Sequence, residues 1–273
     1  MGEPAGIAGE IVIKAWHAPD GRPVPPFAVI GDPDWLRAAA HRTKSHWHVV
    51  EVASMAEAAR RFHEGVPMLP VRLAAKAVPG TPDTRNAKPV IDAIDRAVAL
   101  ARNGEAAGVV TNPIHKATLY KAGFSFPGHT EYLASLCGGT PVMMLVIEGL
   151  RVVPVTVHLA LARVAQQLTT AAIVAAGTTA HQALMHDFGI AAPRLAIAAL
   201  NPHAGEDGAM GDEEKTIIAP AIAELQRNGI DAKGPLPADT LFHAGARARY
   251  DAAICMYHDQ ALIPLKTLDF AGG

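Results

Sequence analysis

The chain has few cysteines, little charge and no apolar run long enough to cross a bilayer unbroken. Its two cysteines, Cys137 and Cys255, sit in apolar surroundings and form no CxxC pair. That argues against a disulfide framework or a thiolate metal site, and predicts buried free thiols in a reducing cytoplasm. Charged residues make up 18% of the 273, and they nearly cancel, to a formal net charge of −2. There is then no broad electrostatic reason to bind nucleic acid or an anionic membrane, and an anionic substrate must be met by local donors. The most apolar stretch, 142–161, is interrupted by Glu148, Gly149, Arg151 and His158. A membrane helix needs about 20 mostly apolar residues, so two strands joined at Glu148-Gly149-Leu150 are predicted instead. No secretory leader is visible, and the cytoplasm is the expected location.

Several signatures are also missing. There is no GxGxxG, no GxxxxGK[ST] phosphate loop, no GxSxG elbow and no HExxH helix. Any nucleotide is therefore expected on a less common surface.

What the chain does have is alternation. Half the residues are hydrophobic, and strand-like and helix-like segments follow one another, which predicts an α/β fold. A helix is expected from Pro89, with Ile91, Ile94, Val98 and Ala101 as its apolar stripe and Asn103-Gly104 as its stop. Residues 106–111 read as a buried strand, and 169–187 and 212–227 as helices. Pro154 belongs at a strand's edge, beginning or bulge.

Three apolar runs each end on a histidine: 152–158 on His158, 195–203 on His203 and 253–258 on His258. In an open α/β sheet, ligands sit outside the carboxyl ends of the strands. Three neutral imidazoles arriving there suit one divalent metal with a coordination position left open. Asp259 could orient a neighbouring ligand or a metal-bound water, and Lys266 could meet substrate oxygens or carry a proton. His129, Thr130 and Glu131 suit a helix start, where free N–H groups attract a phosphate or are simply capped. Gly2-Glu3-Pro4-Ala5-Gly6 could form a small anion nest.

Six motifs now stand in order: Gly2-Glu3-Pro4-Ala5-Gly6-Ile7, Thr111-Asn112-Pro113-Ile114-His115-Lys116, Phe126-Pro127-Gly128-His129-Thr130-Glu131, Asn201-Pro202-His203-Ala204-Gly205-Glu206, Gly234-Pro235-Leu236-Pro237-Ala238-Asp239-Thr240 and Met256-Tyr257-His258-Asp259-Gln260. Together they closely resemble the 4-hydroxythreonine-4-phosphate dehydrogenase family over essentially the whole chain. The resemblance implies an isocitrate/isopropylmalate-dehydrogenase-like fold, with two α/β/α domains, an interdomain cleft and an obligate homodimer. It implies domains at 1–125 and 126–273, the first completed by a C-terminal segment that these residues do not include. The family also has a strand ahead of the Gly2 motif.

By the same resemblance, His158, His203 and His258 fall on the metal ligands, in a site shared across the dimer interface. His129, Thr130 and Lys266 fall on substrate-binding positions, and Asp239, Asp259 and Lys266 become candidates for orienting or proton-transfer roles. The implied cofactors are NAD, or NADP, and one divalent metal per site, zinc, magnesium or cobalt. The implied reaction oxidises a 3-hydroxyl to a 3-oxo acid that loses carbon dioxide, giving 3-amino-2-oxopropyl phosphate. A related decarboxylating dehydrogenase of another phosphorylated hydroxy acid, or of an aromatic cis-dihydrodiol acid, is the alternative. From another class, a three-histidine metal could serve a hydrolase or aldolase, which would turn over without NAD.

Overall fold

The computed structural model describes residues 1–17, 24–44 and 48–270, and the chain divides into two units, Met1–Pro141 and Val142–Gly273. In the first, α1 (Ala8–His17), β1 (Val29–Gly31), α2 (Pro33–Arg42), β2 (Val49–Glu51), α3 (Met55–Arg61) and β3 (Val66–Pro70) alternate. Three helices follow, α4 (Ala87–Arg102), α5 (Lys116–Lys121) and α6 (His129–Cys137). The strands form a parallel sheet in the order β1-β3-β2. Central β3 buries Val66, Met68 and Leu69, the unbroken apolar run of a strand covered on both faces. Asp32 starts α2: one oxygen accepts from the backbone of Asp34 and Trp35, and the other accepts from Leu73 N at 2.8 Å.

Helix α4 buries Ile94 and Val98 of its predicted stripe, leaves Ile91 and Ala101 half-buried, adds Val90 to the buried face and stops at Asn103. Helix α6 packs on α4 through Phe124 and Tyr132, and Tyr132 Oη donates to Asp95. That packing keeps 126–141 with the first unit, so the division falls beyond the expected 125/126. Residues 106–111 do not form a strand, and Val110 is 99% exposed. An apolar run becomes a strand only where a neighbour supplies a ladder, and no described strand pairs with this one. The thiols are free, but only Cys255 is buried; Cys137 is exposed, because it lies at the C-terminal end of α6 beside Gly138.

The second unit holds β4 (Leu145–Ile147), β5 (Leu150–Pro154), α7 (Val164–Gln167), α8 (Thr170–His186), β6 (Arg194–Ala198) and α9 (Ala219–Arg227). It continues through β7 (Asp231–Leu236), α10 (Ala238–Leu241), α11 (Ala244–Arg247), β8 (Ala252–Cys255) and α12 (His258–Leu268). Its sheet runs β4-β5-β8-β6-β7, with β4 and β5 the antiparallel hairpin predicted and every other pairing parallel. Pro154 is the last residue of β5; the β4 pairing has already ended at Val152, and Val155 N donates to Cys255 O. The proline therefore costs the ladder no donor.

Side chains alternate across this sheet. Leu195, Ile197 and Ile254 join a core with Ile173, Leu184 and Leu225 from α8 and α9. Burying each of these large side chains is worth about 1.5–3 kcal/mol. Ala196, Ala198, Ala253 and Cys255 face the other way, under Ala261 and Leu265 of α12. Small residues on that face let α12 approach closely. Thr169 caps α8, and the helix predicted at 212–227 begins with a π turn, Glu214–Ile218, before α9. None of the described helices is long and apolar enough to cross a membrane.

Candidate functional site

Strands β5, β8 and β6 are parallel neighbours, so the segments that follow them leave the sheet at one edge. His158 lies four residues past β5, His203 five past β6, and His258 three past β8, as the first residue of α12. The first and third exits are tied together: Thr156 donates to Met256 O through its backbone N (3.3 Å) and its hydroxyl (2.8 Å). The rings of His158 and His258 then lie 6.2 Å apart, centroid to centroid. Nδ1 of His258 is 2.8 Å from Asp259 Oδ1. A carboxylate only accepts, so Nδ1 carries the proton and Nε2 is left as a ligating nitrogen.

The β6 exit is built differently. From His203 to Asp207 every residue has positive φ, between 41° and 78°. Only Gly205 adopts this left-handed conformation without penalty; the others cost roughly 1 kcal/mol each. Such strain persists where surrounding contacts over-determine it. Here Glu214 Oε1 accepts from Leu200 N (2.8 Å) and Asn201 N (2.7 Å), while Oε2 accepts from Asn201 Nδ2 (3.0 Å). Burial alone would raise the Glu214 carboxyl; the donors from Asn201 and Leu200 outweigh it and hold the group below its ordinary value. Buried Gln260 joins this exit to the β8 exit, donating from Nε2 to Ala199 O and accepting from Met256 N, both at 2.7 Å. Patterning gives Thr156 and Gln260 no role, and reads Glu214 only as an acidic residue at a helix start.

The His158–His258 pair has the donor chemistry of a divalent-metal site, neutral imidazoles with a carboxylate behind one of them. Among the described residues, no group of three or more histidine, cysteine, aspartate or glutamate side chains gathers as a metal cage. His203 is exposed on its turn and does not complete such a group. Asp239 is exposed on α10, which follows β7 and packs against the 202–208 turn. Lys266 stands eight residues along α12 from His258, about 12 Å at the helical rise, and donates to Phe270 O at 3.3 Å.

In the first unit, α6 begins at His129 after Gly128, and no side chain caps its first N–H groups. An anion could take those donors. A Cβ on Gly128 would lie 3.5 Å from Glu131 Oε2 and 3.6 Å from Lys116 Nζ, so a carboxylate and a cation share this helix end. Burial first, then the Met1 ammonium and Lys116, lower the His129 imidazole from its ordinary value. The turn at Gly2 plays another part. Its Glu3 carboxylate accepts Ala5 N at 2.9 Å, filling with the chain's own anion the nest the sequence suggested. Glu3 N donates to Pro113 O, and a Cβ on Gly2 would meet that oxygen at 2.4 Å, so two motifs meet where only glycine fits.

A parallel α/β chain with histidines and carboxylates at the carboxyl edge of its sheet belongs to the class of α/β enzymes. Residues 24–273 match the family model described as pyridoxal phosphate biosynthetic protein PdxA. The chain belongs to that family. It is 51% identical to the 4-hydroxythreonine-4-phosphate dehydrogenase of Caulobacter vibrioides, covering 100% of this chain and 82% of that protein. The crystal structure of the Klebsiella pneumoniae 4-hydroxythreonine-4-phosphate dehydrogenase superposes with a TM-score of 0.88 at 34% identity, over 99% of this chain and 83% of the other. A terephthalate 1,2-cis-dihydrodiol dehydrogenase from Burkholderia xenovorans LB400 follows at 0.69 and 28%, over 98% and 80%.

Proposed function

We propose that the chain is an NAD-dependent 4-hydroxythreonine-4-phosphate dehydrogenase of pyridoxal phosphate biosynthesis. It oxidises the 3-hydroxyl of 4-phosphohydroxy-L-threonine, and the resulting 3-oxo acid loses carbon dioxide to give 3-amino-2-oxopropyl phosphate. The observation that carries this is the His158–His258 pair, with Asp259 behind it, in a chain of this family.

His158, His203 and His258 would hold a divalent metal (zinc, cobalt or magnesium), in a site shared across the interface of a homodimer. When bound, the metal supplies a Lewis acid for negative charge on oxygen, and NAD or NADP accepts the hydride. Asp259 fixes the tautomer and orientation of His258. His129, Thr130 and the uncapped start of α6 bind the phosphate; a neutral His129 there both donates and accepts. Lys266 contacts the substrate. With Asp239 it is a candidate to take the hydroxyl proton and return one to carbon after decarboxylation. These steps belong in the cytoplasm, where such a substrate and cofactor meet.

The likeness to the cis-dihydrodiol dehydrogenase favours one competitor, an aromatic cis-dihydrodiol acid. The higher identity to phosphate-substrate relatives and the uncapped α6 start weigh against it. The test follows NADH absorbance from the full-length protein with NAD, a divalent metal and either substrate. NADH with 4-phosphohydroxy-L-threonine supports the proposal. None from a folded, metal-loaded dimer overturns it, and NADH with the dihydrodiol alone transfers the assignment.

A further inference from the structure

The histidines leave the sheet on three separate segments, and each segment is free to diverge once its ladder ends. What holds them in step is polar and buried. At the β8 exit, Met256 O takes both donors of Thr156, which sets the β5 exit against it. Met256 N is taken by Gln260 Oε1, and the other end of the same amide donates to Ala199 O at the β6 exit. The next two backbone donors on that exit, Leu200 N and Asn201 N, both end on Glu214. Five backbone groups on the β8 and β6 exits are thus tied, with the β5 exit, through the side chains of Thr156, Gln260 and Glu214. Gln260 is 7% exposed and Glu214 is 4% exposed, so water does not compete for these bonds.

Gln260 occupies the centre. It sits two residues after His258 on α12, and its amide makes one bond to its own strand exit and one to the neighbouring exit. No other residue type of that length offers a donor and an acceptor in one planar group. We propose that Gln260 is a positioning residue for the metal site: with Glu214 it fixes the offset between the exit carrying His258 and the exit carrying His203. Neither side chain touches metal or substrate. Each acts through the backbone that delivers an imidazole. Positioning of this kind matters because ligands must be held within about 0.5 Å of productive geometry.

This rests on the metal reading above, and cobalt(II) serves as a probe that separates the two. Gln260→Met keeps volume and charge while removing both bonds. Cobalt affinity of the full-length protein is measured by titration, and the visible ligand-field spectrum is recorded at saturating cobalt. The expected result is affinity lowered at least tenfold with a changed band position and intensity, while the circular dichroism of the metal-free protein is unchanged. A merely structural role would lower the unfolding midpoint and leave the saturated spectrum as in the wild type. That outcome overturns the proposal. Should Gln260→Met fail to fold, Glu214→Gln carries the same readouts. It keeps the acceptor for Leu200 and Asn201 and turns a donor toward Asn201 Nδ2, and an unchanged saturated spectrum there is equally decisive. If the wild type itself binds no cobalt, the metal reading fails instead.

Discussion

Asp259 Oδ1 lies 2.8 Å from Nδ1 of His258, although the two residues are adjacent in sequence and share the first turn of α12. Because the chain turns from strand to helix between Met256 and His258, neighbouring side chains can converge here as they would not inside a helix. The carboxylate makes the imidazole a better ligand by holding its proton on the far nitrogen. Removing such a partner typically costs 10–100-fold in metal affinity. Asp259→Asn should therefore bind zinc or cobalt about tenfold more weakly with its fold unchanged, since the side chain is 70% exposed. Equal affinity in a competition titration would show that Asp259 does not support the ligand.

His203 calls for a substitution matched to its backbone. With φ at 52°, it lies in the left-handed region, where asparagine is several-fold enriched and most other residues are strained. His203→Asn should fold with an unfolding midpoint close to the wild type and should lose stoichiometric metal. His203→Ala should lose the metal as well and be less stable by roughly 1 kcal/mol. Metal content by elemental analysis checks the first statement, and thermal unfolding checks the second. Full retention of metal in His203→Asn would remove this residue from the ligand set.

Much of this was legible in the sequence. Apolar runs ending on histidine mark β5, β6 and β8, and the Glu148-Gly149 turn marks the hairpin, because burial and turn chemistry are local properties of the chain. The order β5-β8-β6, which makes the three exits neighbours, is a tertiary fact that no periodicity encodes. The left-handed turn at 203–207 escaped for a similar reason: only Gly205 advertises positive φ, and the turn is set by tertiary bonds, Glu214 to Leu200 N and Asn201 N just ahead of it and Lys215 Nζ to Asp207 O at its end. The run at 106–111 misled because its apolar pattern satisfies a strand template, while a strand also needs a partner.

Tyr132 places the start of α6. Its hydroxyl donates to Asp95 on α4, and burial, reinforced by Asp95, raises the phenol far above its ordinary range, so it stays a donor at any physiological pH. Tyr132→Phe leaves the ring packing against Phe124 and Phe126 intact but strips Asp95 of its partner. The expected loss is about 1–2 kcal/mol of stability. Because α6 carries His129 and Thr130, KM for the phosphorylated substrate should rise several-fold while kcat changes little. A fall in kcat at constant KM would mean that α6 is not a binding element.

Asp251 ties the amino end of β6 to the chain entering β8. It accepts from the backbone N (2.8 Å), Nε and Nη2 (3.1 Å each) of Arg194. The hydrogen bonds of the Arg194 side chain, opposed by burial and helped by its backbone N–H, hold the Asp251 carboxyl below its ordinary value. A group depressed on folding binds its proton more readily in the unfolded chain, so its stabilisation is present in full above the unfolded value and is lost as pH falls through the folded one. Asp251→Asn should then be less stable than the wild type by on the order of 1 kcal/mol at neutral pH. The gap should stay constant down to about pH 5 and close progressively below about pH 4, where the carboxylate of the unfolded wild-type chain begins to protonate. Urea unfolding of both proteins across that range is the measurement. A gap that persists unchanged into strong acid would mean that the contact stabilises through shape and neutral hydrogen bonds, and that the charge on Asp251 contributes nothing.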